Sequence, residues 1–268
     1  MFKKEWTIFL TAMMFLTRLP MPKNIDHSEQ YLQKSPKYFP LVGYVVALLS
    51  VALFVLFHHF ISVDVALLAM MIAGILITGA FHEDGFADTC DAFGGGWTKE
   101  KILAIMKDSR LGTYGVAGLV LMLAGKFLLL KEIVVYLSIT LHSSLQFYIL
   151  FVAIVTAAHA SSRLMSVLVI QQYNYVTADD GSKSKPLASK KLSFIELGIA
   201  LLFALLPFFL LPPKMLWVFF PILFIVFLVA RYFKKWIGGY TGDCLGAIQQ
   251  VAEIIFYLTA LIIWKYIL

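Results

Sequence analysis

Residues 40–62 read PLVGYVVALLSVALFVLFHHFIS, and this run of 23 residues contains no Asp, Glu, Lys or Arg. A helix of about 20 apolar residues is long enough to cross the hydrocarbon core of a bilayer. Backbone polar groups in lipid must form their hydrogen bonds within the protein, which favours a helix over an open strand. We therefore predict that this run forms a transmembrane helix.

Similar apolar runs follow along the rest of the chain. Of the 268 residues, 60% are hydrophobic and 14% are charged, whereas about a quarter of the residues in soluble domains are charged. This composition, with only two cysteines, excludes a soluble enzyme and a disulfide-stabilised secreted domain. We predict an all-α, polytopic integral membrane protein, in which residues 1–268 form one transmembrane domain of about seven helices. The further predicted spans are residues 65–81, 113–130, 133–158, 194–211, 215–230 and 246–264.

The N-terminal segment is apolar but short. Lys3 and Lys4 precede it, as in a signal peptide, but Glu5 lies beside them and Arg18 closes the run without a small-residue cleavage site. The apolar stretch is too short to span a bilayer comfortably. We predict that residues 5–18 form an interfacial helix.

Positive charge is concentrated in a few segments. Residues 1–39, 82–112, 159–193 and 231–245 contain 18 of the 22 Lys and Arg residues. Because cytoplasmic loops are rich in Lys and Arg, we predict that these segments face the cytoplasm of a bacterial-type inner membrane. Most acidic residues lie in the same segments, so we expect the active-site loops on the cytoplasmic face. No basic run is interleaved with exposed aromatic residues, so we expect no nucleic-acid partner.

The first motif that indicates chemistry is HEDGFADTCDAFGGG, residues 82–96, directly after a predicted span. If the helix continues through the motif, Asp84, Asp88 and Asp91 lie on one face, because they are separated by one and two helical turns. Carboxylates on one face repel each other unless a cation lies among them, and several oxygen ligands suit Mg²⁺ or Mn²⁺. We therefore predict a divalent-metal site.

The neighbouring residues of this motif are weaker candidates. Glu83 points about 100° away from the aspartates and is predicted as a further metal ligand. His82 is a candidate substrate-binding residue, although a single histidine at a membrane boundary is more often structural. The simpler alternative is a solvated acidic helix end. That alternative is disfavoured because acids at the C-terminal end of the preceding span oppose the helix dipole.

The second motif is MKDSRLGTYGV, residues 106–116. Its two cations, its hydroxyls and the amides of Gly112 and Gly115 at the start of a helix are typical of a phosphate site. The alternative is an ordinary basic turn beside a membrane span. The predicted substrate-binding residues of this motif are Lys107, Asp108, Ser109, Arg110 and Thr113. Together, residues 82–112 are predicted as a cytoplasmic metal- and phosphate-binding segment.

Three further features complete the predicted site. Asp243, in GGYTGDCLGA at residues 238–247, is predicted to complete the metal site, to cap the last helix through its carboxylate, or to do both. Arg163 follows the fourth predicted span and is either a substrate contact or an ordinary cytoplasmic cation. Residues 171–193 are predicted as a polar cytoplasmic loop.

These residues together are typical of metal-assisted phosphoryl transfer, in which a cation offsets charge on phosphate and basic side chains hold the leaving group. The predicted catalytic residues are Asp84, Asp88, Asp91 and Asp243. The predicted metal ligands are the same four residues and Glu83.

The motifs as a set resemble the cobalamin synthase family, also called adenosylcobinamide-GDP ribazoletransferase or cobalamin-5'-phosphate synthase. The residues that carry the resemblance are FLTRLPMP (15–22), FHEDGFADTCDAFGG (81–95), IMKDSRLGTYGV (105–116) and GGYTGDCLGA. The resemblance implies a Mg²⁺-dependent integral membrane enzyme that joins adenosylcobinamide-GDP to α-ribazole or its 5'-phosphate. The product is adenosylcobalamin or its 5'-phosphate, and GMP leaves.

The resemblance also implies roles for individual residues. Asp84, Asp88 and Asp91 would hold the metal, and Asp243 would complete its shell. The diphosphate would be gripped by Lys107 and Arg110. The implied partners are the two substrates and the lipid bilayer, and a homo-oligomer and contacts with other corrinoid-pathway enzymes are further candidates.

Two other classes of protein fit less well. In a CDP-alcohol phosphotransferase, Asp84, Gly85 and Ala87 would match part of the signature, but Asp88 stands where an arginine is expected. A transporter would need polar groups near the middle of the membrane. Only His142, Gln146 and His159 hint at such groups.

Overall fold

The computed structural model describes residues 2–22, 25, 28–176 and 190–267. These residues are helical apart from their connections and one isolated bridge between Tyr175 and Tyr240, which confirms the all-α prediction. The α-helices are α1 (Phe2–Leu16), α2 (Glu29–Lys34), α3 (Phe39–Phe60), α4 (Val63–Thr78), α5 (Phe81–Gly95), α6 (Lys99–Met106), α7 (Thr113–Thr140), α8 (Ser144–Gln172), α9 (Phe194–Leu205), α10 (Phe219–Ile237) and α11 (Gly242–Tyr266). Short 3₁₀ segments lie at Ser35–Tyr38, Leu206–Leu210 and Pro213–Val218.

Several of these helices are suited to a membrane. Four segments of the described chain are long and apolar enough to cross a bilayer: Glu29–Phe60, Ser144–Gln172, Pro213–Ile237 and Gly242–Tyr266. The number is five if α4 and α5, which are together long and apolar enough to cross a bilayer, form one bent span. The class of polytopic membrane protein is confirmed, while the total of about seven spans stays a prediction.

The predicted boundary between the spans 113–130 and 133–158 is wrong. The helix α7 runs without a break from Thr113 to Thr140, and α8 begins at Ser144, so the predicted spans 113–130 and 133–158 are misplaced. The charge of Lys131 does not end α7 because its Nζ lies 2.8 Å from a carboxylate oxygen of Asp64 in the first turn of α4. A charged residue therefore interrupts the apolar pattern but not the helix.

The first part of the polar loop predicted at residues 171–193 also differs from expectation. Residues 171 and 172 belong to α8, and the side chain of Gln171 hydrogen-bonds both the amide and the carbonyl of Leu192 at 3.0 Å. These two bonds tie the end of α8 to the start of the segment leading into α9. Residues 177–189 of the predicted loop lie outside the described residues.

The helices α8 and α11 form the centre of the bundle. α8 packs against α3 and α11, and α11 also packs against α5, α7 and α10. α10 lies at the edge, with large apolar side chains such as Phe220 and Phe224 exposed, which is what contact with lipid requires. α1 packs on the Ser35–Tyr38 segment and α3, and Glu5 pairs there with Lys37 at 2.7 Å. Its interfacial position stays a prediction.

A sharp bend separates α4 from α5. Gly79 and Ala80 adopt left-handed backbone conformations, with φ of 66° and 57°, and the two helix axes differ by 87°. The expectation that the preceding span continues through the acidic motif is therefore wrong. Because α5 is a new helix, Glu83 and Asp84 lie in its first turn, where the helix dipole stabilises acids.

Candidate active site

Four aspartates meet where α5 packs against the first turn of α11. Asp88 interacts electrostatically with Asp84, Asp243 and Asp91. The two helices approach closely at Gly85, where an added Cβ would lie 2.9 Å from the Cα of Asp243. None of the four carboxylates forms an ion pair with a residue that the structure describes. The structure thus brings together the acids that the sequence predicted as one cluster.

Asp91 also joins α5 to α7. Its carboxylate oxygens accept the backbone N–H groups of Gly112 at 2.7 Å and Gly115 at 2.8 Å. A Cβ at either glycine would collide with the carboxylate, which explains the glycines at these positions. The amides predicted to bind phosphate therefore donate to Asp91 instead.

Asp243 does not cap α11. The N-cap is Thr241, whose side-chain oxygen accepts the N–H of Cys244 at 3.2 Å. Asp243 lies one residue inside the helix, in its first turn. The predicted role of Asp243 as the N-cap of α11 is therefore wrong, because Thr241 holds that position. Its predicted role as a metal ligand stays a prediction.

The second motif forms the exposed connection between α6 and α7. The guanidinium of Arg110 binds the carboxylate of Asp108 through two nitrogens, with Nη2 to Oδ2 at 2.6 Å and Nε to Oδ1 at 3.0 Å. These hydrogen bonds lower the pKa of Asp108 to about 2. Ser109 and Thr113 are exposed beside this pair, and the connection leads directly into Gly112, which contacts Asp91. The predicted phosphate-binding side chains therefore lie next to the acidic cluster.

Arg163 does not lie in a loop, contrary to prediction. It is inside α8 and only 2% exposed. Its Nη1 lies 3.2 Å from Nδ1 of His159 and 3.0 Å from the His159 carbonyl oxygen, and Glu253 is the acid that acts most strongly on it. Because its charge is compensated within the bundle, the helix continues past the end of the apolar run.

The buried polar residues around Arg163 were not predicted from the sequence. Nζ of Lys126 on α7 lies 3.0 Å from Oε1 of Glu253 on α11 and donates to Gln250 at 2.8 Å. Gln250 in turn donates to Glu83 at 2.9 Å, and Gln249 donates to Glu253 at 2.6 Å. The available signal was the polar spacing of residues 249, 250 and 253 on one side of an apolar span, since ionisable residues within a membrane face the bundle interior and pair.

These groups surround a cavity in the bundle. The cavity offers about 40 Å³ for the centres of water molecules, which is room for bound water. Among the described residues, Oε2 of Glu83, Nε of Arg163 and Oε1 of Gln249 are buried without a hydrogen-bond partner. Both His82 and Glu83 line this cavity, so Glu83 faces the buried polar cluster, and it is not among the charges that act on Asp88.

The donor chemistry of the acidic cluster fits Mg²⁺. Within the described residues, no three His, Cys, Asp or Glu side chains converge tightly enough to hold a metal by themselves. Mg²⁺ commonly takes only one or two carboxylates and completes its shell with water and substrate phosphates. The carboxylates of Asp84, Asp88 and Asp243, which form no ion pair with the part of the chain that the structure describes, fit that mode better than a cage of protein ligands.

The fold and the site define a polytopic helical membrane protein with an acidic site where a short helix meets the start of its last span. A family model described as cobalamin-5-phosphate synthase matches residues 8–261, and the chain belongs to that family. A curated relative from Leptospira interrogans, named adenosylcobinamide-GDP ribazoletransferase, is 40% identical over 270 residues, covering 98% of each chain. Relatives with the same name from Shewanella baltica strain OS155 and Shewanella piezotolerans are 42% and 41% identical, covering 97% of this chain and 95% and 97% of theirs. No solved structure matches the chain.

Proposed function

We propose that this protein joins adenosylcobinamide-GDP to α-ribazole or α-ribazole 5'-phosphate and releases GMP. The relatives named for this activity match nearly the whole chain at 40–42% identity, which favours it over a CDP-alcohol phosphotransferase. The observation in the site that carries the proposal is the meeting of the two acidic motifs at Gly85, where Asp84, Asp88 and Asp243 come together and no cation among the described residues pairs with them.

The reaction replaces a phosphoanhydride bond with a phosphate ester bond. A hydroxyl oxygen of the ribazole bonds to the phosphorus that carries the cobinamide arm, and the bond from that phosphorus to the GMP oxygen breaks. The hydroxyl proton passes to a carboxylate of the acidic cluster. Arg110 and Lys107 bind the diphosphate, with Asp108 orienting the guanidinium, and Ser109 and Thr113 add hydroxyl contacts.

We further propose that Asp84 and Asp88, one turn apart on α5, hold Mg²⁺ or Mn²⁺ together with Asp243. When bound, the cation offsets the charge that develops on the phosphates as GMP leaves. Asp91 is best suited to hold the start of α7 against α5, because both of its oxygens already accept backbone amides. It thereby sets the distance between the acidic cluster and the diphosphate-binding connection.

The distribution of positive charge along the chain indicates the side of the membrane on which this chemistry occurs. The acidic cluster and the Lys107–Arg110 connection belong to the segments that carry most of the Lys and Arg residues. This supports an active site on the cytoplasmic side of an inner membrane. A homo-oligomer and contacts with other corrinoid-pathway enzymes stay predictions.

The test uses membranes that contain the full chain, supplied with adenosylcobinamide-GDP and α-ribazole with and without Mg²⁺. We expect GMP release that requires both the ribazole and the cation. At a fixed, limiting Mg²⁺ concentration Asp84→Asn and Asp88→Asn should strongly reduce it, while Asp64→Asn, a matched change in the surface pair with Lys131, should not. Unchanged turnover in both cluster variants would contradict the assignment of the site, and GMP release without ribazole would contradict the transfer.

A further inference from the structure

A second pocket adjoins the acidic cluster on the side of α1. Its walls come from α1, α3, α5, α8 and α11, and they include Phe15, Phe39, Phe81, Arg163 and Leu245. The pocket offers about 30 Å³ for the centres of water-sized molecules and about 420 Å³ of empty space with its open mouth included.

The walls of this pocket are mainly aromatic. The rings of Phe15 and Phe81 meet edge to face, with centroids 5.4 Å apart, and those of Phe15 and Phe39 are parallel at 6.2 Å. The ring of His82 lies 5.4 Å from that of Phe81. Phe15 thus stands between two other rings, where a planar aromatic guest could add edge and face contacts.

One residue at the pocket wall has an unused hydrogen-bond donor. Arg163 lies between this pocket and the polar cavity and lines both, is 2% exposed, and has an Nε that lacks a hydrogen-bond partner among the described residues. The hydroxyl of Ser166, which also lies at this wall, already has a partner, because it donates to the carbonyl oxygen of Leu245 at 3.1 Å. A buried unsatisfied donor is costly, so a guest with an acceptor nitrogen would be favoured over a purely apolar one.

The pocket is adjacent to the proposed chemistry along both acidic helices. Gly242, which lines it, directly precedes Asp243, and Phe81, which also lines it, is three residues before Asp84 and so neighbours it on the surface of α5. A molecule with its flat part in the pocket would therefore present an attached sugar to the carboxylates.

We propose that this pocket binds the planar aromatic base of the ribazole and that Nε of Arg163 donates to the ring nitrogen that does not carry the ribose. This inference rests on the proposed function. The base is flat and aromatic and carries one free acceptor nitrogen, so it matches both the aromatic walls and the unused donor. A lipid acyl chain would match the apolar walls but would leave the donor unsatisfied.

The first test measures binding and kinetics of the purified full chain. Phe15→Ala should weaken equilibrium binding of radiolabelled α-ribazole, and raise its KM, by about tenfold, because a ring contact is lost. The KM of adenosylcobinamide-GDP should stay within about twofold. Phe15→Leu should retain part of the binding, and Phe209→Ala, a change at a ring that is 84% exposed, should have no effect. Leu245→Trp, which fills the pocket instead of emptying it, should weaken binding as well.

The second test changes the ligand and leaves the protein intact. The indole analogue of α-ribazole has a C–H group in place of the free ring nitrogen and should bind at least about tenfold more weakly, since it leaves the buried donor unpaired. Equal binding of the two ligands, or unchanged ribazole binding in both Phe15→Ala and Leu245→Trp, would overturn the proposal. A phospholipid retained by the wild type but lost in Leu245→Trp, with ribazole binding unchanged, would assign the pocket to lipid.

The two levels of inference can fail separately. Ribazole binding is measured without the second substrate, so wild-type protein that binds ribazole through Phe15 but releases no GMP would contradict the proposed function and support the pocket. Normal GMP release with kinetics independent of Phe15 and Leu245 would support the function and overturn the pocket.

Discussion

Lys126 on α7 and Glu253 on α11 form an ion pair of 3.0 Å inside the bundle, with side-chain exposures of 9% and 3%. The pair joins two helices that are far apart in sequence. Hydrogen bonds continue it through Gln250 to Glu83 on α5, the helix that carries the acidic cluster. The buried pair thus belongs to the framework that holds the site.

We expect Lys126→Met to destabilise the protein by about 3–5 kcal/mol, because it leaves the carboxylate of Glu253 buried without its partner. Lys131→Met on the same helix is the matched control. The pair that it breaks with Asp64 is exposed, so its cost should be about 0–1 kcal/mol. Thermal unfolding in detergent measures the difference, and equal melting temperatures for the two variants would contradict the importance of the buried pair.

Gly85→Ala should separate α5 from α11, because the added Cβ would lie 2.9 Å from the backbone of Asp243. A shift of about 1 Å in a reacting group can cost about a hundredfold in rate, so we expect GMP release to fall by at least about tenfold in correctly inserted protein. Gly198→Ala on α9, where a Cβ meets nothing within 4 Å, should leave the rate unchanged. Wild-type activity of the Gly85→Ala variant would contradict the close approach of α5 and α11 at this glycine.

Asp91→Asn and Asp84→Asn should have different consequences. The first weakens charge-assisted hydrogen bonds to Gly112 and Gly115, so we expect a loss of about 1–3 kcal/mol in stability and faster amide exchange at the start of α7. The second removes an exposed carboxylate, and should leave stability unchanged while raising the Mg²⁺ concentration needed for half-maximal GMP release. If Asp91→Asn raises the Mg²⁺ requirement at unchanged stability, Asp91 is the ligand that its sequence pattern indicated.

Arg110→Lys should raise the KM of adenosylcobinamide-GDP by about tenfold, since an ammonium cannot reproduce the two-nitrogen contact that a guanidinium offers to an oxyanion. The KM of α-ribazole should not change. Arg231→Lys on α10, another exposed arginine, is the control. Steady-state measurement of GMP release with each substrate varied in turn distinguishes the two constants, and an unchanged KM for both substrates would exclude Arg110 from the diphosphate contact.

Much of the fold could be predicted because it depends on local pattern. The apolar runs placed α1, α3, α4, α9 and α11 to within a few residues. The spacing of Asp84, Asp88 and Asp91 correctly predicted one helical face. The errors occurred where a charge is satisfied by tertiary contact. Lys131 and Arg163 were expected to mark the ends of helices, yet both lie within helices because Asp64 and the buried polar cluster offset their charges.

The sequence by itself determined the membrane class, the family and the identity of the acidic residues, because hydropathy, helical period and motif spacing are properties of neighbouring residues. Only the tertiary structure decided that Asp91 holds the start of α7, that Glu83 faces the buried polar cluster around Lys126, and that three phenylalanines form a pocket beside the acids. These arrangements join positions far apart in the chain; Lys126 and Gln250, for example, are separated by 124 residues. No local period encodes such a pair, since it exists only after the packing of α7 and α11 removes both side chains from solvent.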